Sequence, residues 1–139
     1  MGNANKIADA LREKGYKATS QRLEIIQTLL NMNHPSAEEI HEQVLELHPT
    51  ISLSTVYNTL HIIRDMSFAN EIMIKGTTRY DSNTEMHINL ICENCSRVRD
   101  IEDPEMINHL DRISKKVGYT IKGKRVDVYG TCSLCKNVE

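Results

Sequence analysis

Two Cys-x-x-Cys pairs, Cys92-Glu-Asn-Cys95 and Cys132-Ser-Leu-Cys135, account for every cysteine of the chain. Each pair can present two thiolates from one tight turn, and four such sulfurs make a tetrahedral site for a structural Zn²⁺. The segment between the pairs, Ser96 to Thr131, is longer than in a zinc ribbon. It must therefore fold as a helix and strands that carry the second pair back to the first. Disulfides or a redox dithiol are the alternatives. No signal peptide or long apolar span is visible, so the chain is expected to be cytoplasmic, with no membrane partner and its thiols reduced. A redox dithiol also wants a CxxC that opens a helix after a strand, and neither pair stands that way. Structural zinc is the reading that remains.

At 139 residues the chain is one domain or two small ones. Aromatic residues make up only 4% with no Trp, so any core is aliphatic and small, and a metal staple would support it. Formal net charge is −2, and up to Tyr80 eight Lys and Arg face nine acids. If this protein binds nucleic acid, it does so through placed residues rather than a basic field.

The first half reads as four helices. Asn5 to Lys14 ends at Gly15, and Thr19 caps a second helix to about Asn31 with Leu23, Ile26 and Leu30 on one face. Ser36-Ala-Glu-Glu39 is a capping box. Behind it, Ala37, Ile40, Val44 and Leu47 repeat at helical spacing. Ser52 caps a fourth helix with Leu53, Val56, Leu60 and Ile63 inward. Two β-prone pieces, Asn70 to Ile74 and Thr78 to Asp81, meet across Lys75-Gly76-Thr77 as a hairpin. Helices followed by a hairpin form the pattern of a winged helix-turn-helix, whose fourth helix is the candidate reader of the DNA major groove. Its outer face carries Ser54, Thr55, Tyr57, Asn58, His61 and Arg64, groups suited to phosphates and base edges. A solvated face in a protein–protein module is the plainer alternative.

The second half changes character. His87 to Cys92 and Arg97 to Ile101 read as strands turning on the first CxxC. Asp103-Pro104 opens a helix with Ile107, Leu110, Ile113 and Val117, closed by Gly118. Tyr119 to Tyr129 then runs loosely into the second CxxC. The fold class is α+β: a winged-helix domain over residues 1–81, a hinge at 82–86, and a small α/β dimerisation and zinc-binding domain over 87–139. Its few apolar residues suggest pairing with a second copy, and a homodimer would read a palindromic double-stranded operator.

A second set of metal-binding residues stands at element boundaries: His34, Asp81, His87 and Asp100, with Asn89 two residues past His87 on the same strand face. Alone, each is an ordinary polar residue. Together they form a mixed nitrogen and oxygen set suited to Fe²⁺ or Mn²⁺, which the ligand rules do not separate. The other histidines (His41, His48, His61 and His109) read as surface residues.

Across nearly its whole length the chain resembles the ferric uptake regulator superfamily, and most of all its peroxide-responsive branch. The resemblance runs through Ala18-Thr-Ser-Gln-Arg22, His34-Pro-Ser-Ala-Glu-Glu39, Ser54-Thr-Val-Tyr-Asn58 and Arg79-Tyr-Asp81. It continues through His87-Ile-Asn-Leu-Ile-Cys-Glu-Asn-Cys95 and Tyr129-Gly-Thr-Cys-Ser-Leu-Cys135, in family order and spacing. It implies a homodimeric, metal-dependent repressor and no enzyme, with no small-molecule substrate. Cys92, Cys95, Cys132 and Cys135 match the structural zinc ligands. His34, Asp81, His87 and Asp100 match four of five regulatory ligands, the aspartates being typical of peroxide sensors. Tyr57 and its neighbours match the DNA-reading helix, and Arg22 a residue near the DNA backbone.

Two departures stand out. The fifth ligand is usually His, and here it is Asn89. The positions of a further metal site hold Met86, Ile88, Ile107 and Lys124, which cannot build it, so one regulatory metal per protomer is implied. In a peroxide sensor, Fe²⁺ would promote oxidation of His34 or His87 and release DNA. The alternative is an iron- or manganese-responsive repressor governed by reversible occupancy. A zinc-binding interaction module without a DNA role is the rival from another class.

Overall fold

The computed structural model describes residues 4–136, and the chain divides into two compact units, Met1–Thr84 and Glu85–Glu139. Residues 1–3 and 137–139, the outer ends of the two expected domains, lie outside the described residues. In the described residues no helix is long and apolar enough to cross a membrane.

The first unit is a winged helix: α1 (Ala4–Glu13), α2 (Ser20–Asn31), α3 (Ala37–Val44), α4 (Leu53–Asp65), β1 (Asn70–Ile74) and β2 (Thr77–Asp81). Its helix starts are set by the expected caps. Thr19, Ser36 and Ser52 side chains accept from the backbone N–H three residues on, and the Ser36 N–H donates to Glu39 Oε1 at 3.1 Å. After α1 the chain stops in a Schellman turn. Gly15 has φ +87°, its N–H bonds Arg12 O, and Tyr16 N–H bonds Leu11 O.

The core gathers Leu11, Ile25, Ile26, Leu29, Ile40, Val44, Val56, Leu60, Ile63 and Tyr80. On α2 the inward face is therefore Ile25, Ile26 and Leu29, rotated from the expected stripe; Leu23 and Leu30 are half-buried. Leu47, expected inward, is 66% exposed because α3 ends at Val44 and the chain turns away. The hairpin turns on Lys75 and Gly76, both at positive φ (50° and 76°), the geometry that suits the twist of paired strands. Tyr80 N–H donates to Pro35 O at 2.9 Å, which fastens β2 to the loop that carries His34.

The second unit contains β3 (Ile88–Cys92), β4 (Val98–Ile101), α5 (Pro104–Lys116) and β5 (Val126–Gly130) in a sheet of order β4-β3-β5. β3 pairs antiparallel with β4 and parallel with β5, and α5 lies in the crossover that a parallel pairing requires. Asp103 caps α5, and Gly118 (φ +85°) ends it in a second Schellman turn. The apolar stripe Ile107, Leu110, Ile113 and Val117 is not buried within this unit: Ile113 is 47% and Val117 68% exposed, while Ile107 and Leu110 are half-covered. Among the described residues, Ile91 and Cys92 are this unit's buried apolar side chains. The helix periodicity was legible, but it marks a face that this unit does not cover by itself.

Candidate metal centres and nucleic-acid face

The four cysteines converge in the second unit. β3 ends at Cys92, the turn after it carries Cys95, and β5 delivers Cys132 and Cys135 beside them. All four are free thiols, and their sulfurs lie within 4.8 Å of one another. Cys95 Sγ and Cys132 Sγ are 3.8 Å apart. With Zn–S bonds of about 2.3 Å, the edges of a ZnS₄ tetrahedron are about 3.8 Å. The donor set therefore fits zinc, and no disulfide joins these sulfurs.

Local hydrogen bonds favour the thiolate at Cys92 and Cys132. The backbone N–H groups of Cys95 (3.5 Å) and Cys132 (3.3 Å) donate to Cys92 Sγ and bring its pKa down to about 6. The backbone at Cys135 lowers Cys132 in the same way. Asn94 also lowers Cys135, but the neighbouring sulfurs of Cys132, Cys95 and Cys92, together with burial, push it up to about 11. Clustered thiols part with their last proton reluctantly, and a bound cation would displace it.

The second donor set divides between the units. In the first, His34 Nε2 and Asp81 Oδ2 are 3.5 Å apart and both residues are buried. His34 holds φ +49°, unusual for a residue with a side chain. Arg79 donates to its carbonyl oxygen at 3.1 Å. In the second, His87 Nε2 lies 3.0 Å from Asn89 Oδ1 and 3.8 Å from Asp100 Oδ1, and His87 and Asn89 are buried. His87 Nδ1 donates to the Glu85 carbonyl at 2.7 Å. An imidazole with carboxylate or amide oxygens in each group fits a divalent cation of the Fe²⁺ or Mn²⁺ kind.

The residues assigned to DNA occupy α4, with Arg22 in the first turn of α2. Ser54, Asn58 and His61 are exposed; Thr55, Tyr57, Arg64 and Arg22 are half-buried. Several are already engaged. The Tyr57 hydroxyl donates to Glu38 Oε1 at 2.7 Å, which raises the pKa of Tyr57 and lowers that of Glu38. Arg64 is paired with Glu71 at 2.6 Å and with Asp65 at 3.0 Å. Arg22 donates to Lys17 O at 2.8 Å and lies over the Tyr16 ring. These acidic partners do not show in the spacing of α4, because Glu38 and Glu71 come from other elements.

Sequence reasoning also missed Asp127. It stands in register with Asn89 across the β3–β5 pair and accepts from Asn89 Nδ2 at 3.0 Å. A polar residue between Val126 and Val128 was the available signal.

With this geometry in place, the comparisons with known proteins agree on a family. The peroxide-responsive repressor PerR of Staphylococcus aureus (strain USA300) is 30% identical over 131 residues, 92% of this chain and 88% of the relative. A solved PerR structure from Streptococcus pyogenes, described as a basis for peroxide sensing and gene regulation, is 31% identical with a TM-score of 0.56, covering 97% of this chain and 94% of the other. The Helicobacter pylori ferric uptake regulator Fur superposes with a TM-score of 0.82 at 24% identity, covering 95% and 90%, and at that identity speaks for the fold alone. The sequence profile of the Ferric uptake regulator family matches residues 13–129, most of both units, and this chain belongs to that family.

Proposed function

We propose that this protein is a metal-responsive, homodimeric transcriptional repressor that binds operator DNA, and that it senses peroxide through oxidation of a histidine ligand. The observation that carries the metal reading is the meeting of His87 Nε2 with Asn89 Oδ1 at 3.0 Å, with Asp100 beside them. His34 and Asp81 form the complementary pair in the first unit. One regulatory cation drawing on all five residues would couple the winged helix to the second unit, and occupancy would then bias the chain toward its DNA-binding arrangement. Cys92, Cys95, Cys132 and Cys135 hold structural zinc.

Peroxide sensitivity is the finer part of the proposal. It is supported by relatives named as peroxide-responsive and by the aspartates at positions 81 and 100. Fe²⁺ held by these residues would supply the redox chemistry that activates H₂O₂, unchanged in the net reaction. His34 and His87 are the nearest oxidisable rings. Net, one imidazole and one H₂O₂ give an oxo-imidazole and water. The altered ring is a poorer donor, and repression ends without turnover, so the protein is no enzyme.

The exposed apolar side chains of α5, its C-cap Val117 and β5, among them Ile113 and Val128, support a homodimer formed through the second unit. DNA recognition falls to Ser54, Thr55, Tyr57 and Asn58 on α4, with Arg22 and Arg64 toward the backbone.

The test loads zinc-containing protein with Fe²⁺ or Mn²⁺ without oxygen, measures operator binding, then adds limiting H₂O₂. One added oxygen on the His34 or His87 peptide and loss of binding, in the iron sample alone, are expected. Unmodified histidines in both samples would leave a repressor governed by reversible metal occupancy.

A further inference from the structure

Asn89 stands between two aspartates: in register with Asp100 on β4 and with Asp127 on β5, so the three share one face of the sheet. An asparagine amide has two opposite ends, and only its oxygen can bind a cation. Here the choice is made. Asp127 Oδ1 accepts from Asn89 Nδ2 at 3.0 Å, and Arg125 Nε donates to Asp127 Oδ2 at 2.9 Å. A carboxylate can only accept, so the amide nitrogen must face Asp127 and the oxygen must face His87.

His87 is oriented by the same logic. The Glu85 carbonyl can only accept, so Nδ1 carries a ring proton and Nε2 is the ring nitrogen that meets Asn89 Oδ1, 3.0 Å away. Two donor atoms at that distance match neighbouring ligands of a six-coordinate cation, since bonds of about 2.1 Å at right angles put them roughly 3.0 Å apart.

We propose that Asp127 is a positioning residue for the regulatory cation: by holding the amide nitrogen of Asn89, it selects the carbonyl oxygen as ligand. This rests on the reading of His87, Asn89 and Asp100 as regulatory donors. It assigns to Asp127, held by Arg125, the orienting role that lets an amide serve where a ring nitrogen would need no such choice of end.

The experiment measures Mn²⁺ affinity of the full-length, zinc-loaded chain by calorimetry, with zinc content and circular dichroism as checks on folding. Asp127→Ala should weaken Mn²⁺ binding about 10- to 100-fold, the usual effect of losing a residue that orients a metal ligand. The decisive comparison is made in an Asn89→Asp background. There both ends of the side chain are oxygens and no selection is needed, so adding Asp127→Ala should leave affinity unchanged or raise it. A simple loss of negative charge would weaken binding equally in both backgrounds, and that result overturns the proposal. Wild-type affinity in the single variant overturns it too. Should Asp127→Ala lose its fold, the isosteric Asp127→Asn carries the test, with a smaller loss expected and wild-type affinity again overturning it. Absence of any Mn²⁺ binding by the wild-type chain beyond its zinc would overturn the regulatory-site reading as well. Intact wild-type binding with an unaffected variant removes only the role of Asp127.

Discussion

Arg79 donates to Glu39 Oε1 at 2.7 Å, and the same guanidinium nitrogen donates to the carbonyl oxygen of His34 at 3.1 Å. Glu39 meanwhile closes the capping box at Ser36. One ion pair thus joins β2, the start of α3 and the loop bearing His34, where the backbone sits at positive φ. Arg79→Ala should cost about 1–3 kcal/mol, since it removes the charged donor shared by the Glu39 carboxylate and the His34 carbonyl. Chemical denaturation measures that loss. The variant should also bind Mn²⁺ more weakly, because His34 loses the contact that fixes its backbone.

Glu38 titrates with a low pKa chiefly because the Tyr57 hydroxyl donates to it. A carboxylate depressed in the folded state adds stability above its unfolded pKa of 4.5, and that contribution fades as pH falls through the lower folded value. Tyr57→Phe should therefore move Glu38 up toward 4.5 without moving distant carboxylates. Carbon-detected NMR titration reads this directly, and an unmoved Glu38 would refute the assignment. Glu38→Gln should tighten nonspecific DNA binding, since it removes a negative charge beside the reading face.

Ser67 follows α4 at φ +66°, with its N–H bonded to Arg64 O and the Phe68 N–H bonded to Ile63 O. This is the Schellman geometry that Gly15 and Gly118 adopt after their own helices, here occupied by a residue with a Cβ. Left-handed backbone costs such a residue roughly 1–2 kcal/mol. Ser67→Gly should relieve part of that and raise stability by about 0.5–1 kcal/mol in thermal or urea unfolding, after the entropy cost of glycine. A destabilised variant would contradict the geometry.

Ile113 lies on α5 with 47% of its surface exposed, beside Val117 at 68%. If these side chains meet a second copy, Ile113→Asp places an unpaired charge in the contact and should yield monomers by light scattering at micromolar concentration. Zinc content should stay at one per chain, because the four cysteines lie elsewhere in the unit. A dimer of unchanged strength would move the interface off α5.

The helix starts and stops were legible in the sequence because they are local. A Ser or Thr three residues before a backbone N–H, or a glycine free to take positive φ, acts within one turn of chain. The two CxxC pairs were legible for the same reason, since each places two sulfurs before any tertiary contact forms. The family motifs marked His34, Asp81, His87, Asn89 and Asp100 as candidates. They did not show how any of those side chains is held. That depended on tertiary pairing: β5 laid parallel to β3 to bring Asp127 against Asn89, and β2 docked on Pro35 to bring Arg79 to His34. Burial also escaped the periodicity, which predicted an apolar face on α5 but not that its own unit would leave Ile113 and Val117 exposed. Local hydrogen bonds need only neighbours in the chain, whereas an orienting contact needs two strands from opposite ends of a crossover, and only the folded sheet supplies that.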